Sequence, residues 1–257
     1  KKVTYAHNRI TEEALVFIKR NKDKPFYLNL TWTIPHTNNE AGRVEKDGQE
    51  VPDYGIYEDR DWPNPEKGFA AMVTLMDADM GKLLDLLKEL KIDKRTLVLF
   101  TSDNGPHQEG GHKVEFFDSN GKLRGYKRSL HEGGIRVPAI AWWPGTVKPG
   151  ESDHPSAFWD WLPTACELGG APVPEGIDGI SFVPTLLGHV AKQRRHDYLF
   201  WRWSRFRAAR MGKWKGVQTD KKLALYDLDA DLGEETDLAD KHPDVAKKIR
   251  SIIAELE

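Results

Sequence analysis

The chain has 257 residues, 30% of them charged, and a formal net charge of −2 at neutral pH. That balance gives no electrostatic reason to bind nucleic acid or an anionic membrane, and no apolar run approaches the roughly 18 residues needed to span a bilayer. Lys1-Lys2-Val3-Thr4 begins no signal peptide, and a single cysteine, Cys166, excludes an intrachain disulfide and a thiolate metal cluster.

In chain order, Thr11–Arg20 sets Ala14, Leu15 and Ile18 on one face behind Thr11 as cap, which predicts a short amphipathic helix. Phe26–Trp32 reads as a strand running into Ile34-Pro35-His36-Thr37, so His36 falls just past a strand end. Thr37–Pro65 is polar and aperiodic, a long loop in which Tyr54, Tyr57 and Trp62 could face a ligand. Between Glu66 and Leu90, Met72, Leu75, Met76, Met80, Leu83, Leu84 and Leu87 recur at threes and fours, the pattern of a long helix lying on a sheet. Asp77 and Asp79 in it read as solvated or capping charges, because residues two apart face different directions. Thr96–Thr101 and Val137–Trp143 predict short buried strands. Ala157–Gly169 predicts a helix with Cys166 buried, and Trp142, Trp143, Trp159 and Trp161 are expected in the core. From about residue 190, short segments at 198–203, 206–211, 214–218 and 223–228, then a helix over 243–256 with Val245, Ile249 and Ile252 on one face, predict a small antiparallel sheet and its covering helix.

The chemistry concentrates between Thr101 and Pro138. Ser102-Asp103-Asn104-Gly105 sits where a buried strand ends, and the crevice beyond such ends is where open α/β sheets bind ligands. Asp103 and Asn104 offer oxygen only, which suits a hard cation, Ca²⁺ ahead of Mg²⁺; taken alone they would equally make an ordinary turn.

Three pieces in order resemble the sulfatase family of the alkaline-phosphatase superfamily: Thr101-Ser102-Asp103-Asn104-Gly105, Gly125-Tyr126-Lys127, and Glu132-Gly133-Gly134-Ile135-Arg136-Val137-Pro138. The likeness runs from Pro25-Phe26-Tyr27-Leu28 to Leu225-Tyr226-Asp227-Leu228 and begins in the middle of the family pattern. It implies an α/β fold: a mostly parallel sheet flanked by helices, alkaline-phosphatase-like and incomplete, over residues 1–189, and a small antiparallel α+β subdomain over 190–257. It further implies hydrolysis of sulfate esters, of a carbohydrate in particular, by a formylglycine nucleophile. Asp103 and Asn104 would be calcium ligands, and His36 and Lys127 the catalytic and sulfate-binding pair. His107 and His112 would be further substrate contacts, and Glu132-Gly133-Gly134 structural, with Arg136 paired to a buried carboxylate. Pro35-His36 follows the family, whereas Asn38 stands where a second proline belongs.

The Cys/Ser-x-Pro-x-Arg motif from which formylglycine is made does not occur, and Cys166 is followed by Glu167-Leu168-Gly169. The nucleophile and two more calcium aspartates are therefore expected from an N-terminal half of the same protein. That half would be the partner polypeptide, and residues 1–257 alone are expected to be inactive. The resemblance also implies a periplasmic or secreted protein, lysosomal in a eukaryote, whose ligand is a sulfated small molecule or glycan. Two other classes stay open. Asp103-x-x-x-His107 resembles a zinc spacing of the phosphohydrolases of the superfamily, although Asn104 offers an amide where zinc prefers imidazole. A module that binds sulfated glycans without turnover is the other.

Overall fold

The computed structural model describes residues 4–220 and 222–256; Lys1-Lys2-Val3 lie outside the described residues. The elements in order are α1 (Ala6–Asn21), α2 (Asn39–Glu45), α3 (Asn64–Glu89), β1 (Val98–Thr101), α4 (Glu132–Ile135), β2 (Ala139–Trp142), α5 (Trp161–Gly169), α6 (Val183–Leu186), β3 (Leu199–Trp203), β4 (Phe206–Met211), β5 (Trp214–Thr219), β6 (Lys222–Asp227) and α7 (Pro243–Glu255). They form two compact units, Lys1–Leu97 with Pro106–Gly121, and Val98–Gly105 with Lys122–Glu257. The division thus cuts through the Thr101–Pro138 stretch and does not fall at residue 190.

In the first unit α1 packs on α3. It starts at Ala6, ahead of the predicted Thr11 cap, because His7 is drawn into the interior, where its Nε2 donates to Asp79 Oδ2 at 3.0 Å. Thr11 is buried within the helix and its Oγ1 accepts from Trp32 Nε1 at 3.1 Å. Asp79 is correspondingly no solvated charge: a carboxylate can be buried here because His7 and Lys82, at 2.6 Å, both partner it. Asp77 is exposed, as its spacing predicts. The polar segment after Thr37 is also not loop throughout, since Asn38 Oδ1 accepts from Glu40 N at 3.0 Å and Ala41 N at 3.3 Å and caps α2. A proline side chain at position 38 could not make that cap.

The α/β class stands, and the strands that pair among the described residues do so antiparallel. Phe26–Trp32 alternates half-buried and exposed residues, yet it belongs to no hydrogen-bonded sheet among the described residues. A strand needs a neighbour to supply its ladder, whatever its own pattern. In the second unit β1 and β2 pair antiparallel, Val98 opposite Trp142 and Thr101 opposite Ala139. A parallel return requires a crossover, usually a helix of some length, and the link between these strands holds only a 3₁₀ turn at Val114–Phe116 and the four-residue α4.

The sheet β3-β4-β5-β6 is an antiparallel meander with Leu199 opposite Arg210, Phe206 opposite Thr219 and Trp214 opposite Asp227. Each strand lies within about one residue of its predicted span, because turn residues separate these short segments. One face buries Ala209, Leu223 and Leu225 against Ala246, Ile249 and Ile253 of α7. Each such large apolar side chain contributes about 1.5–3 kcal/mol. Val245 and Ile252 are partly buried beside this cluster. Gly216 admits the helix, since a Cβ there would stand 2.5 Å from Ile249 Cγ2. The other face buries Ala208, Val217 and Tyr226 with Leu130, so the segment after Lys127 rests on this sheet. The expected tryptophan core is not found: Trp142, Trp143 and Trp161 are half-buried, as is Cys166, and Trp159 is 37% exposed. Of α5, only Pro163 and Thr164 are fully buried, so the helix leaves much of its apolar surface outside.

Candidate functional site

Each unit gathers half of the residues singled out from the sequence. In the first unit His36 Nδ1 donates to Thr37 O at 2.8 Å, which fixes the ring, and its Nε2 lies 3.8 Å from Glu109 Oε2. His107 is buried with its ring centre 5.8 Å from that of His36. Its Nε2 donates to Pro35 O at 3.0 Å and its Nδ1 accepts from Glu109 N at 3.2 Å, so both nitrogens are committed and the ring is neutral. Burial pushes the His107 pKa down, against a smaller opposing effect of the Pro35 carbonyl. His112 is buried one step further in. Its Nδ1 donates to Glu66 Oε2 at 2.6 Å, Lys113 N donates to Glu66 Oε1 at 2.9 Å, and the Phe69 ring stacks on the imidazole at 3.9 Å. Glu66 and Phe69 are three apart on α3 and so share a face.

Gly110 and Gly111 make this packing possible. Both have positive φ, +60° and +90°, and a Cβ on Gly110 would stand 1.8 Å from Thr37 Oγ1. The glycine pair lets the loop lie on the His36 turn, with Gly48 N donating to Gly110 O at 2.9 Å and Asn38 N to Gly48 O at 2.7 Å. His107 and His112 are thus struts inside this loop, where the sequence places them towards a substrate. A separate cleft of about 420 Å³ in this unit is lined by Glu45, Asp47, Glu50, Asp53 and Glu58, whose charge repels an anionic ester.

In the second unit Asp103 is exposed at the end of β1. Ser102 Oγ donates to Asn104 O at 2.9 Å, and Asn104 Nδ2 donates to Gly105 O at 2.9 Å, which orients the amide. Gly105 N then donates to Gly134 O at 3.0 Å, and a Cβ on Gly105 would stand 1.9 Å from Gly133 O. Lys127 is half-buried in a turn closed by Ser129 N to Tyr126 O at 2.8 Å. This turn rests on the same two glycines: Gly133 N donates to Arg124 O at 2.8 Å, and Cβ atoms on Gly133 and Gly134 would stand 2.1 Å from Gly125 O and 2.2 Å from Ser129 O. The Gly133-Gly134 step therefore carries both the Asp103-Asn104 turn and the Lys127 turn. Arg136 does reach a buried carboxylate, Glu132 Oε2, at 3.9 Å, but it is half-exposed. The close partner of Glu132 is Lys215, at 2.8 Å.

The sequence drew attention to neither Lys215, Glu66 nor Glu109. A lone lysine in a strand and a glutamate after a proline carry no signal until a partner from a distant segment meets them. Among the described residues no three histidine, cysteine or acidic side chains converge as a metal site. Asp103 and Asn104 nonetheless have the oxygen-donor chemistry that a hard cation takes.

The sulfatase family model matches residues 3–171, and the model for the C-terminal part of N-sulphoglucosamine sulphohydrolase matches residues 123–255. The chain belongs to the sulfatase family. This sulfatase chain is 39% identical to human steryl-sulfatase over 197 residues, 75% of this chain and 31% of that protein. It is 33% identical to dog (Canis lupus familiaris) N-acetylgalactosamine-6-sulfatase over 217 residues, 79% of this chain and 36% of that protein. Among solved structures, Ps i-CgsB in complex with k-i-k-neocarrahexaose superposes over all of this chain and 55% of its own, with TM-score 0.82 and 26% identity. The chain thus spans about a third of the length of the curated relatives it matches. Among the described residues no helix is long and apolar enough to cross a membrane.

Proposed function

We propose that the protein hydrolyses sulfate esters of carbohydrates and that this chain supplies the groups that hold the sulfate. The observation that carries the reading is the Gly133-Gly134 step, which braces an oxygen-donor turn at 103–105 and a cationic turn at 124–129 on one backbone. Lys127 binds sulfate oxygens as a point charge and offsets the negative charge that grows on them as the ester bond breaks. His36, its Nδ1–H held by Thr37 O and its Nε2 3.8 Å from Glu109 Oε2, acts as the imidazolium: its Nε2–H donates to a sulfate oxygen or passes its proton to the departing alkoxide, leaving the neutral ring. His107 and His112 hold the His36 loop in shape.

Asp103 and Asn104 would hold Ca²⁺, which stabilises charge on the sulfate when bound; the remaining ligands would come from outside this chain. Formylglycine does not fit any residue here, since Cys166 lies in α5 outside its motif, and we assign that group to a preceding segment of the same polypeptide. The carbohydrate part draws support from the N-acetylgalactosamine-6-sulfatase relative and from the neocarrahexaose complex. An exported or lysosomal location accompanies that assignment. Zinc phosphohydrolysis is disfavoured because both nitrogens of His107 are already committed within the fold. The test is steady-state turnover by the full-length protein of 4-nitrophenyl sulfate, 4-nitrophenyl phosphate and sulfated oligosaccharides. Release of sulfate from an oligosaccharide is expected. Preference for phosphate overturns the activity, and binding of sulfated glycan without turnover overturns catalysis in favour of recognition.

A further inference from the structure

Lys215 in β5 is fully buried, and a buried ammonium is tolerated only where carboxylates surround it. Its Nζ donates to Glu132 Oε1 at 2.8 Å and lies 3.0 Å from Glu234 Oε1. The Glu234 carboxylate is also tied to the backbone of Glu132, whose N donates to Glu234 Oε2 at 2.6 Å. Besides the longer approaches of Arg136 and Arg210 to Glu132 Oε2, at 3.9 and 4.0 Å, the knot reaches the residues that flank Lys127. Glu234 O accepts from Arg124 Nη1 at 2.7 Å, three residues before Lys127, and Glu234 Oε1 lies 3.2 Å from His131 Nδ1, four residues after it. Arg124 also reaches Tyr226 Oη at 3.3 Å on the sheet face that buries Leu130. Glu132 opens α4, and the next two residues are Gly133 and Gly134, on which the Asp103-Asn104 and Lys127 turns both rest.

We propose that Lys215 is a positioning residue for the sulfate site, clamping Glu132 and Glu234 so that the Gly133-Gly134 step holds the 103–105 and 124–129 turns in one fixed arrangement. The assignment rests on the sulfate-site reading of Lys127 and Asp103-Asn104. A purely stabilising ion cluster would have no reason to converge on these turns. Burial alone would raise the Glu234 carboxyl, but His131, Lys215 and the Glu132 amide hold it below the ordinary range. Lys215→Met removes the ammonium and leaves two carboxylates facing each other. Pairing it with Glu132→Gln removes one of those charges and keeps the shape.

The experiment follows hydrogen exchange of the full-length protein by mass spectrometry, with steady-state kinetics on 4-nitrophenyl sulfate. In Lys215→Met, peptides spanning 101–107 and 122–134 are expected to exchange at least tenfold faster while α1 and α3 peptides keep their rates, and KM is expected to rise at least tenfold. Lys215→Met/Glu132→Gln is expected to regain the melting temperature but keep the fast exchange and the raised KM. Should Lys215→Met fail to fold, Glu132→Gln alone is read by the same peptides, with at least threefold acceleration in both turns. Acceleration spread evenly over all peptides, an unchanged 122–134 segment, or recovery of KM together with stability in the double variant would each overturn the assignment. The exchange measurement needs no turnover: coupled loosening of the two turns in a protein without sulfate ester hydrolysis would uphold the clamp and overturn the activity.

Discussion

Gly105→Ala tests the brace under the oxygen-donor turn directly. Gly105 has no positive φ, so the backbone itself accepts alanine; the obstacle is steric, with the new Cβ 1.9 Å from Gly133 O and 2.9 Å from Gly133 C. Carbon and carbonyl oxygen normally approach no closer than about 3.3 Å. The carbonyl would have to retreat by more than an ångström, and it is backbone of a residue whose N donates to Arg124 O at 2.8 Å, so it cannot swing away as a side-chain end could. Overpacking of this kind costs about 1–3 kcal/mol, and losing the Gly105 N to Gly134 O bond adds about 0.5–1.5 kcal/mol. The expected destabilisation is about 2–4 kcal/mol, with weakened calcium binding because Asn104 moves with Gly105. Gly150→Ala is the control: nothing lies within 4 Å of its Cβ and its φ is ordinary, so it should be neutral or gain about 0.4–1 kcal/mol from the unfolded chain. Urea melts of the full-length protein, with calcium titrated calorimetrically, read both effects. If the two variants unfold within about 0.5 kcal/mol of each other, the close approach of Gly105 to Gly133 is not the constraint described here.

Lys127→Ala should lower kcat/KM on 4-nitrophenyl sulfate by about 10²–10³-fold, the usual loss of one charge-stabilising donor; steady-state kinetics of the full-length protein measure it, and a loss under tenfold would refute the role. For pH, burial holds His107 and His7 below the ordinary histidine value of about 6.5. As pH falls past that value the unfolded chain takes the proton first. Stability is therefore complete above about 6.5 and is lost below it, and His107→Gln should flatten the decline between about pH 6.5 and 5 by up to about 1.4 kcal/mol per unit, measured by melts across pH. Glu66→Gln keeps the shape of a buried side chain but weakens two acceptors, for His112 Nδ1 and Lys113 N. It should cost about 1–3 kcal/mol in the same melts, and no change would show that the strut is idle.

The C-terminal meander and α7 were legible residue by residue, because short turns separate the strands and Val245, Ile249 and Ile252 recur at helical spacing. The long helix α3 was equally plain from its own periodicity, and the family could be read from short motifs whose chemistry is local: Asp103-Asn104-Gly105, Lys127 and Glu132-Gly133-Gly134. What tertiary structure decided are the properties that need a partner from elsewhere in the chain. Phe26–Trp32 has a strand's alternation but takes part in no ladder among the described residues, because a ladder belongs to two segments. Asp79 looks solvated until His7, 72 residues away, comes to meet it. His107 and His112 sit in a polar stretch that gives no sign of burial, and they are buried because two positive-φ glycines press their loop onto Thr37 and onto Glu66 and Phe69 of α3. Lys215 is the clearest case. A strand lysine reads as surface, and only the arrival of Glu132, 83 positions earlier, and of Glu234 makes its burial possible, since the free energy of a buried charge is set by what surrounds it and not by the residue itself.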